Sequence, residues 1–257
     1  MSGAIDFDGL GHAYASDRWI FRNYRGSAAG GSIFAILGPN GRGKTTLLKI
    51  LLGVLNPSEG SISRLGRIAF VPQLFQVSFD YTALDIVLMG RAASIGLFSQ
   101  PSARDESLAL TTLGRLGMAE WAHQPFHRLS GGGRQLVILA RALVAGATIL
   151  ILDEPASALD LKNQGLVLEW IERLAHRDGL TVVFTTHHPQ HAQAVADQVL
   201  LMFGGSDYAC GPAADVLTES NLQRLYGIEM RRVALEISGQ SISTFVPVYP
   251  SVHRERR

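Results

Sequence analysis

Residues 32–55 read SIFAILGPNGRGKTTLLKILLGVL, and three unlike stretches follow one another there. Ser32 to Leu37 is a short apolar run, Gly38 to Gly43 is rich in Gly with Pro and Asn, and Thr45 to Leu55 carries apolar residues at helical spacing. The segment therefore reads as strand, turn and helix. Gly38-Pro39-Asn40-Gly41-Arg42-Gly43-Lys44-Thr45 matches G-x-x-x-x-G-K-[ST] at the junction where that pattern can act. Glycines let successive main-chain N–H groups curl around a phosphate with no Cβ in the way, the helix N-terminus adds partial positive charge, and Lys44 adds a full one. The Thr45 hydroxyl, followed by Thr46, is placed to ligate Mg²⁺ beside a nucleotide.

Working outward, IAFVP at 68–72, TILILD at 148–153 and TVVFTT at 181–186 are apolar runs without strict alternation, as expected of strands covered on both faces. Gln135 to Val144 and Gly165 to Ala175 have helical spacing between them. This alternation predicts an α/β domain with a largely parallel sheet. The stretch from about Tyr81 to Phe126 differs: Thr82 to Arg91 and Ala103 to Leu116 are helical in pattern, with a turn at Ser99 to Ser102, and read as a helical insertion. Near the end, a helix is predicted from Thr218 to Tyr226, stopped at Gly227, and a mixed, partly β-forming tail follows it.

Composition narrows the function. A chain of 257 residues that is 47% hydrophobic can build one sizeable core. Its 18% charged residues fall below the roughly 25% of ordinary domains, which leaves more surface for partners. Lys+Arg 23 against Asp+Glu 22 gives +1, and apart from the short tail His253 to Arg257 the cations are scattered, so no nucleic acid is expected as partner. Cys210 stands alone and excludes an internal disulfide. Met1 to Phe7 has no apolar run ending in a cleavage site, and no stretch approaches the ~18 apolar residues of a membrane span, so a cytosolic chain is expected.

Ile149-Leu150-Ile151-Leu152-Asp153-Glu154 is a strand ending in two acids, and a carboxylate at the C-terminal end of a parallel strand faces the ligand crevice. Asp153 is the candidate Mg²⁺ holder. Glu154, one residue on, is free to orient and deprotonate an attacking water. Leu129-Ser130-Gly131-Gly132-Gly133 opens a second Gly-rich helix start, able to hold another anion.

Taken together, GPNGRGKTT, the Gln73 of VPQ, LSGG, LILDEP, the SALD of Ser157 to Asp160 and the TTH ending at His187 resemble the nucleotide-binding subunits of ATP-binding-cassette transporters, from Tyr14 to about Tyr226. The resemblance implies an α/β phosphate-loop ATPase core with a mostly parallel sheet, a small antiparallel β part and a helical subdomain. Residues 1–75 and 147–226 would form the core, 76–146 the helical subdomain with the signature, and 227–257 a tail. It further implies two copies facing head to tail, with each ATP between the phosphate loop of one and Ser130, Gly131 and Gly132 of the other. Gln73 would contact Mg²⁺ and water, His187 the γ-phosphate, Asp160 the subunit contact, and Tyr14 the adenine. The family pattern favours His187 over the adjacent His188. Two positions depart from that pattern: Gly133 stands where Gln or Glu is usual, loosening the helix start by ~1 kcal/mol, and Arg42 adds a positive side chain to the phosphate loop.

Asp85-Ile-Val-Leu-Met-Gly-Arg91 and Leu217 to Gly227 are similar to the ATPases of importers for iron-siderophores, haem and cobalamin. FVPQ at 70–73, FTTHHP at 184–189 and FVPVY at 245–249 are most similar to the molybdate/tungstate type. This implies a peripheral ATPase on the cytoplasmic face of the membrane, working with two permease subunits through Gln73 and the stretch from Ile86 to Phe98, and indirectly with a substrate-binding protein. The competing expectations are a soluble cassette ATPase acting on ribosomes or DNA, which usually carries two cassettes or a long coiled-coil insertion, and a non-hydrolysing nucleotide sensor, which an intact Glu154 and His187 oppose.

Overall fold

The structure, a computed structural model, describes residues 3–15, 18–73, 75, 77, 79–95, 100–237 and 239–249. In chain order the elements are β1 (Ile5–Ala13), β2 (Trp19–Ala28), β3 (Ile33–Leu37), α1 (Lys44–Leu51), β4 (Glu59–Arg64), β5 (Ile68–Val71), α2 (Ala83–Leu88), a 3-10 turn over Met89–Ser94, α3 (Ala103–Arg115), α4 (Gly131–Val144), β6 (Ile149–Leu152), α5 (Leu161–His176), β7 (Thr181–Thr186), α6 (Pro189–Val195), β8 (Gln198–Gly204), β9 (Asp207–Pro212), α7 (Ala213–Val216), α8 (Glu219–Tyr226), β10 (Glu229–Ile237) and β11 (Gln240–Val248).

The central sheet has the order β5-β6-β7-β3-β8-β9. All neighbours in it are parallel except β8 and β9. Its central strands β3, β6 and β7 are buried at every position because both faces are covered. Ile33, Ala35, Leu37, Leu150, Leu152, Val182 and Phe184 join the core beneath α4 and α5. The alternate residues Phe34, Ile36, Ile149, Ile151 and Val183 join a second core with Leu47, Leu48 and Ile50 of α1 and Phe7, Phe21 and Tyr24 of β1 and β2. An antiparallel sheet of order β2-β1-β4 lies on that second side.

The elements from α2 to α4 hold one another through the stretch that read DIVLMGR. Thr82 and Asp85 form a reciprocal cap at the start of α2, and Ser102 and Asp105 do the same for α3. Hydrogen bonds from Ser102, then the Arg91 guanidinium, hold the Asp105 carboxyl down at about 2. Arg91 donates to Asp105 at 3.0 Å and reaches the Val144 carbonyl of α4. The helix expected through Arg91 stops at Leu88 and tightens into a 3-10 turn that brings Gly90 against α4, where a Cβ would overlap the Arg141 carbonyl. Ile86, expected at a permease contact, is instead fully buried because its face of α2 packs inside this unit. Ala92 to Ser94 are the exposed residues of the segment, and 96–99 lie outside the described residues.

At the other end Thr218 caps α8 and Gly227 ends it in the left-handed conformation, as the sequence predicts. The tail is an antiparallel hairpin of β10 and β11. Met230 and Phe245 are buried in the larger core, and the Gln190 and Gln193 side-chain amides of α6 donate to the Phe245 and Ser243 carbonyls, both at 2.8 Å. The basic run 253–257 lies outside the described residues.

Buried His191 of α6 sits between Thr186 Oγ1 (3.3 Å from Nδ1) and Gln164 Oε1 (3.2 Å from Nε2). Burial, then the neighbouring rings of His188 and His187, push its pKa from 6.5 down to about 4. The unfolded chain therefore takes up this proton first, and stability falls as pH drops from about 6.5 toward about 4. Urea unfolding at about pH 7 and about pH 5 checks this: His191→Gln should lose less stability on acidification than the wild type. Gly90→Ala should cost about 1–3 kcal/mol by overpacking, seen as a lower urea midpoint at unchanged slope.

Candidate active site

The parallel register brings four strand ends to one edge. Val71 pairs with Leu152, Leu152 with Phe184, and Leu37 with Thr186. Residues 38–43 leave β3 at that edge, Gln73 follows β5, Asp153 and Glu154 follow β6, and His187 follows β7. They surround a cavity of about 580 Å³ lined by Asn40, Gly41, Gly43, Lys44, Thr45, Thr46, Gln73, Asp153, Glu154, Ser157 and His187, with Ile20 and Ala158 at its walls.

Gly43 takes φ 94° as the N-cap of α1, and a Cβ there would overlap Ile20. No acidic residue occupies the first turn of α1, so its free N–H groups and dipole face the cavity as an anion-binding end. Lys44 is 6% exposed. Its Nζ donates to the Gly38 carbonyl at 2.7 Å, lies 3.4 Å from that of Pro39, and stands 3.2 Å from Glu154 Oε1. Glu154 Oε2 meets His187 Nδ1 at 2.9 Å, so one carboxylate bridges the loop lysine and the histidine. Glu154 adopts a left-handed φ of 46°, a conformation that costs a non-glycine residue about 1–3 kcal/mol and that the surroundings must hold. Buried Asp153 accepts from the Thr185 hydroxyl at 2.6 Å and lines the cavity. Gln73 donates to Ser157 Oγ at 3.3 Å, which in turn donates to the Glu154 carbonyl.

Other expected residues stand elsewhere. The Tyr14 ring is exposed, its hydroxyl 3.2 Å from Thr46 Oγ1 and its edge against His12. The Arg42 guanidinium does not join the cavity lining; it lies over Gly204 at the end of β8, where that glycine leaves it room. Asp160 is likewise away from the cavity because both its oxygens cap α5, accepting from Asn163 N and Nδ2 at 2.9 Å each. Ser130 caps α4 by accepting from Gly133 N at 3.1 Å. Gly131 is exposed, whereas Gly132 is pressed so close to Asn163 of α5 that a Cβ would overlap its amide. None of the three lines this chain's own cavity. The His188 ring lies tilted between those of His187 and His191, and burial followed by the neighbouring His187 ring lowers its pKa.

The sequence assigns no role to three participants. Thr185 falls within TTH as a buried strand residue, Ile20 is simply an apolar wall, and Tyr226 donates its hydroxyl to the His187 carbonyl at 2.9 Å from a helix distant in sequence. Thr45, Gln73 and Asp153 bring oxygens to the lining of one cavity and would be the groups to hold a cation there; the described residues contain no cluster of three His, Cys, Asp or Glu. Few protein oxygens beside a phosphate site suit Mg²⁺, which keeps waters and phosphate oxygens as its remaining ligands.

Comparison with known proteins agrees with this geometry. The ABC transporter family model matches residues 21–157. The molybdate import ATP-binding protein MolC of Haemophilus influenzae is 38% identical over 98% of this chain and 99% of its own. A solved ABC transporter of metal-chelate type in an inward-facing conformation superposes with a TM-score of 0.93 at 38% identity, over 97% of this chain and 99% of that one. A dimeric ATP-binding cassette in a post-hydrolysis state with ADP and Pi gives a TM-score of 0.68 at 25% identity, covering 81% and 98%. Cassettes of this kind dimerise and partner permeases in importer complexes, and no helix among the described residues is long and apolar enough to cross a membrane. The chain belongs to the ABC transporter family, as an ATP-binding subunit that hydrolyses ATP for transport.

Proposed function

We propose that two copies of this chain close head to tail over two MgATP molecules and power import of a metal chelate or metal oxyanion through a pair of permease subunits, at the cytoplasmic face of the membrane. The observation that carries this reading is the Glu154 carboxylate held between Lys44 and His187 at the carboxyl edge of the sheet. The names of the molybdate-import relative and the metal-chelate transporter support the cargo class. The scattered charges of a chain at +1 weigh against the reading as a soluble ATPase on ribosomes or DNA.

In this mechanism the loop of residues 38 to 45 holds the β- and γ-phosphates through its main-chain N–H groups, which Pro39 alone lacks, and Lys44 exchanges Glu154 for phosphate oxygen. Thr45, Gln73 and Asp153 would hold Mg²⁺, which when bound neutralises charge on the phosphate oxygens. Released from Lys44, Glu154 takes the proton of the attacking water, and His187 holds the γ-phosphate. Tyr14 stacks on adenine. Ser130, Gly131 and Gly132 of the second copy complete the site, with Asp160 bracing the contact through the start of α5. Residues 1–75 with 147–226 act as the catalytic core, 76–146 as the subdomain that Gln73 links to that core and that reaches the permease through the exposed stretch after Gly90, and 227–257 as a tail. Closure does work because the closed dimer binds ATP more tightly than the open one.

Glu154→Gln should bind ATP, hydrolyse it roughly 10²–10⁴-fold more slowly, and accumulate as a dimer on gel filtration; wild-type turnover would remove Glu154 as the base. Lys44→Ala should lose nucleotide affinity in a fluorescent-ATP titration, and unaltered affinity would contradict the phosphate-loop assignment. Purification of the tagged chain from membranes should recover a permease whose cargo stimulates the ATPase.

A further inference from the structure

We propose that Thr185 is the positioning residue for both acids of the site, setting the rotamer of Asp153 and the backbone of Glu154 with one hydroxyl; this rests on the function proposed above. Its Oγ1 lies 2.6 Å from Asp153 Oδ1 and 2.9 Å from Glu154 N. A carboxylate and an amide N–H leave no choice of roles: the hydroxyl spends its one proton on Asp153 and accepts from Glu154 with a lone pair. The side chain is fully buried, so no water substitutes for either bond. Asp153 N is already committed to the Val71 carbonyl. Among the described residues no other group bonds the Asp153 carboxylate or the Glu154 amide.

Strand alternation explains the meeting. Ile151 and Val183 face the α1 side of the sheet, so Asp153 and Thr185, two residues on, face the same side one strand apart, while Thr186 turns to the other side and serves His188 N and His191. With Oδ1 fixed by Thr185, the second oxygen of Asp153 is left for the cavity it shares with Thr45 and Gln73. With its N–H fixed, Glu154 is kept in the left-handed conformation that swings its carboxylate between Lys44 and His187. A valine would fill the same space in β7 and strip both bonds.

The test compares wild type, Thr185→Val and Thr185→Ser, reading fluorescent-ATP affinity in Mg²⁺ and in EDTA, kcat and KM for ATP, and Tm. Thr185→Val should bind as wild type in EDTA but lose about 10–100-fold of the Mg²⁺-dependent gain in affinity and of kcat, as removal of a residue that orients a metal ligand does. Thr185→Ser, which keeps the hydroxyl, should restore both to within about threefold. A purely structural threonine would lower Tm and leave the Mg²⁺-dependent gain unchanged; that result, or a serine variant as impaired as the valine one, overturns the proposal. Should the valine variant not fold, Thr185→Ala reports the same quantities. A wild-type chain with no nucleotide affinity would instead bring down the function proposed above, and this assignment with it.

Discussion

The structure depends on the parallel pairing of β3, β6 and β7. Each strand is only four to six residues long and buried on both faces, so a slip in register would misplace the polar residues at their ends or expose part of both cores. In register, the strands deliver a glycine-rich turn, two acids and a threonine-histidine pair to the same edge. The chemistry of the site follows from where three buried strands stop.

At that edge charge is balanced inside the protein. Lys44 and Glu154 are almost fully withdrawn from water, and removing such charges from solvent is costly unless each finds a partner. Glu154 meets the need twice, toward Lys44 and toward His187, while the Gly38 carbonyl takes a further Lys44 proton. A triphosphate entering here replaces a carboxylate with a stronger anion in a place already shaped for one. In the mechanism proposed above, the same exchange would separate the acid from the lysine and free it for work on water, linking occupancy of the loop to readiness of the base.

Much of this was legible in the sequence. The phosphate loop, the paired acids, the cap at Thr218 and the Gly-rich helix start after Ser130 are local patterns whose physics acts within a few residues, and the central strands announce themselves by unbroken apolar runs. The sheet of β1, β2 and β4 did not, because it is bulged and irregular: the β1–β2 register shifts three times, and Asn23 and Gly60 adopt positive φ. The direction of the Arg42 side chain and the use of Asp160 as a cap depend on neighbours at Gly204 and Asn163. Thr185 and Tyr226 matter through partners in other elements, which no spacing rule reports.

The position of β3 between β7 and β8 also bears on how the protein is made. The strand that carries the phosphate loop is synthesised early, yet its two hydrogen-bonded neighbours are residues 181–186 and 198–204. Until those have left the ribosome, β3 has no ladder to join and the loop has no rigid base, so a nascent chain holds an unformed nucleotide grip. Such long-range pairing slows folding, and it ties the order of the nucleotide loop to strands made more than a hundred residues later.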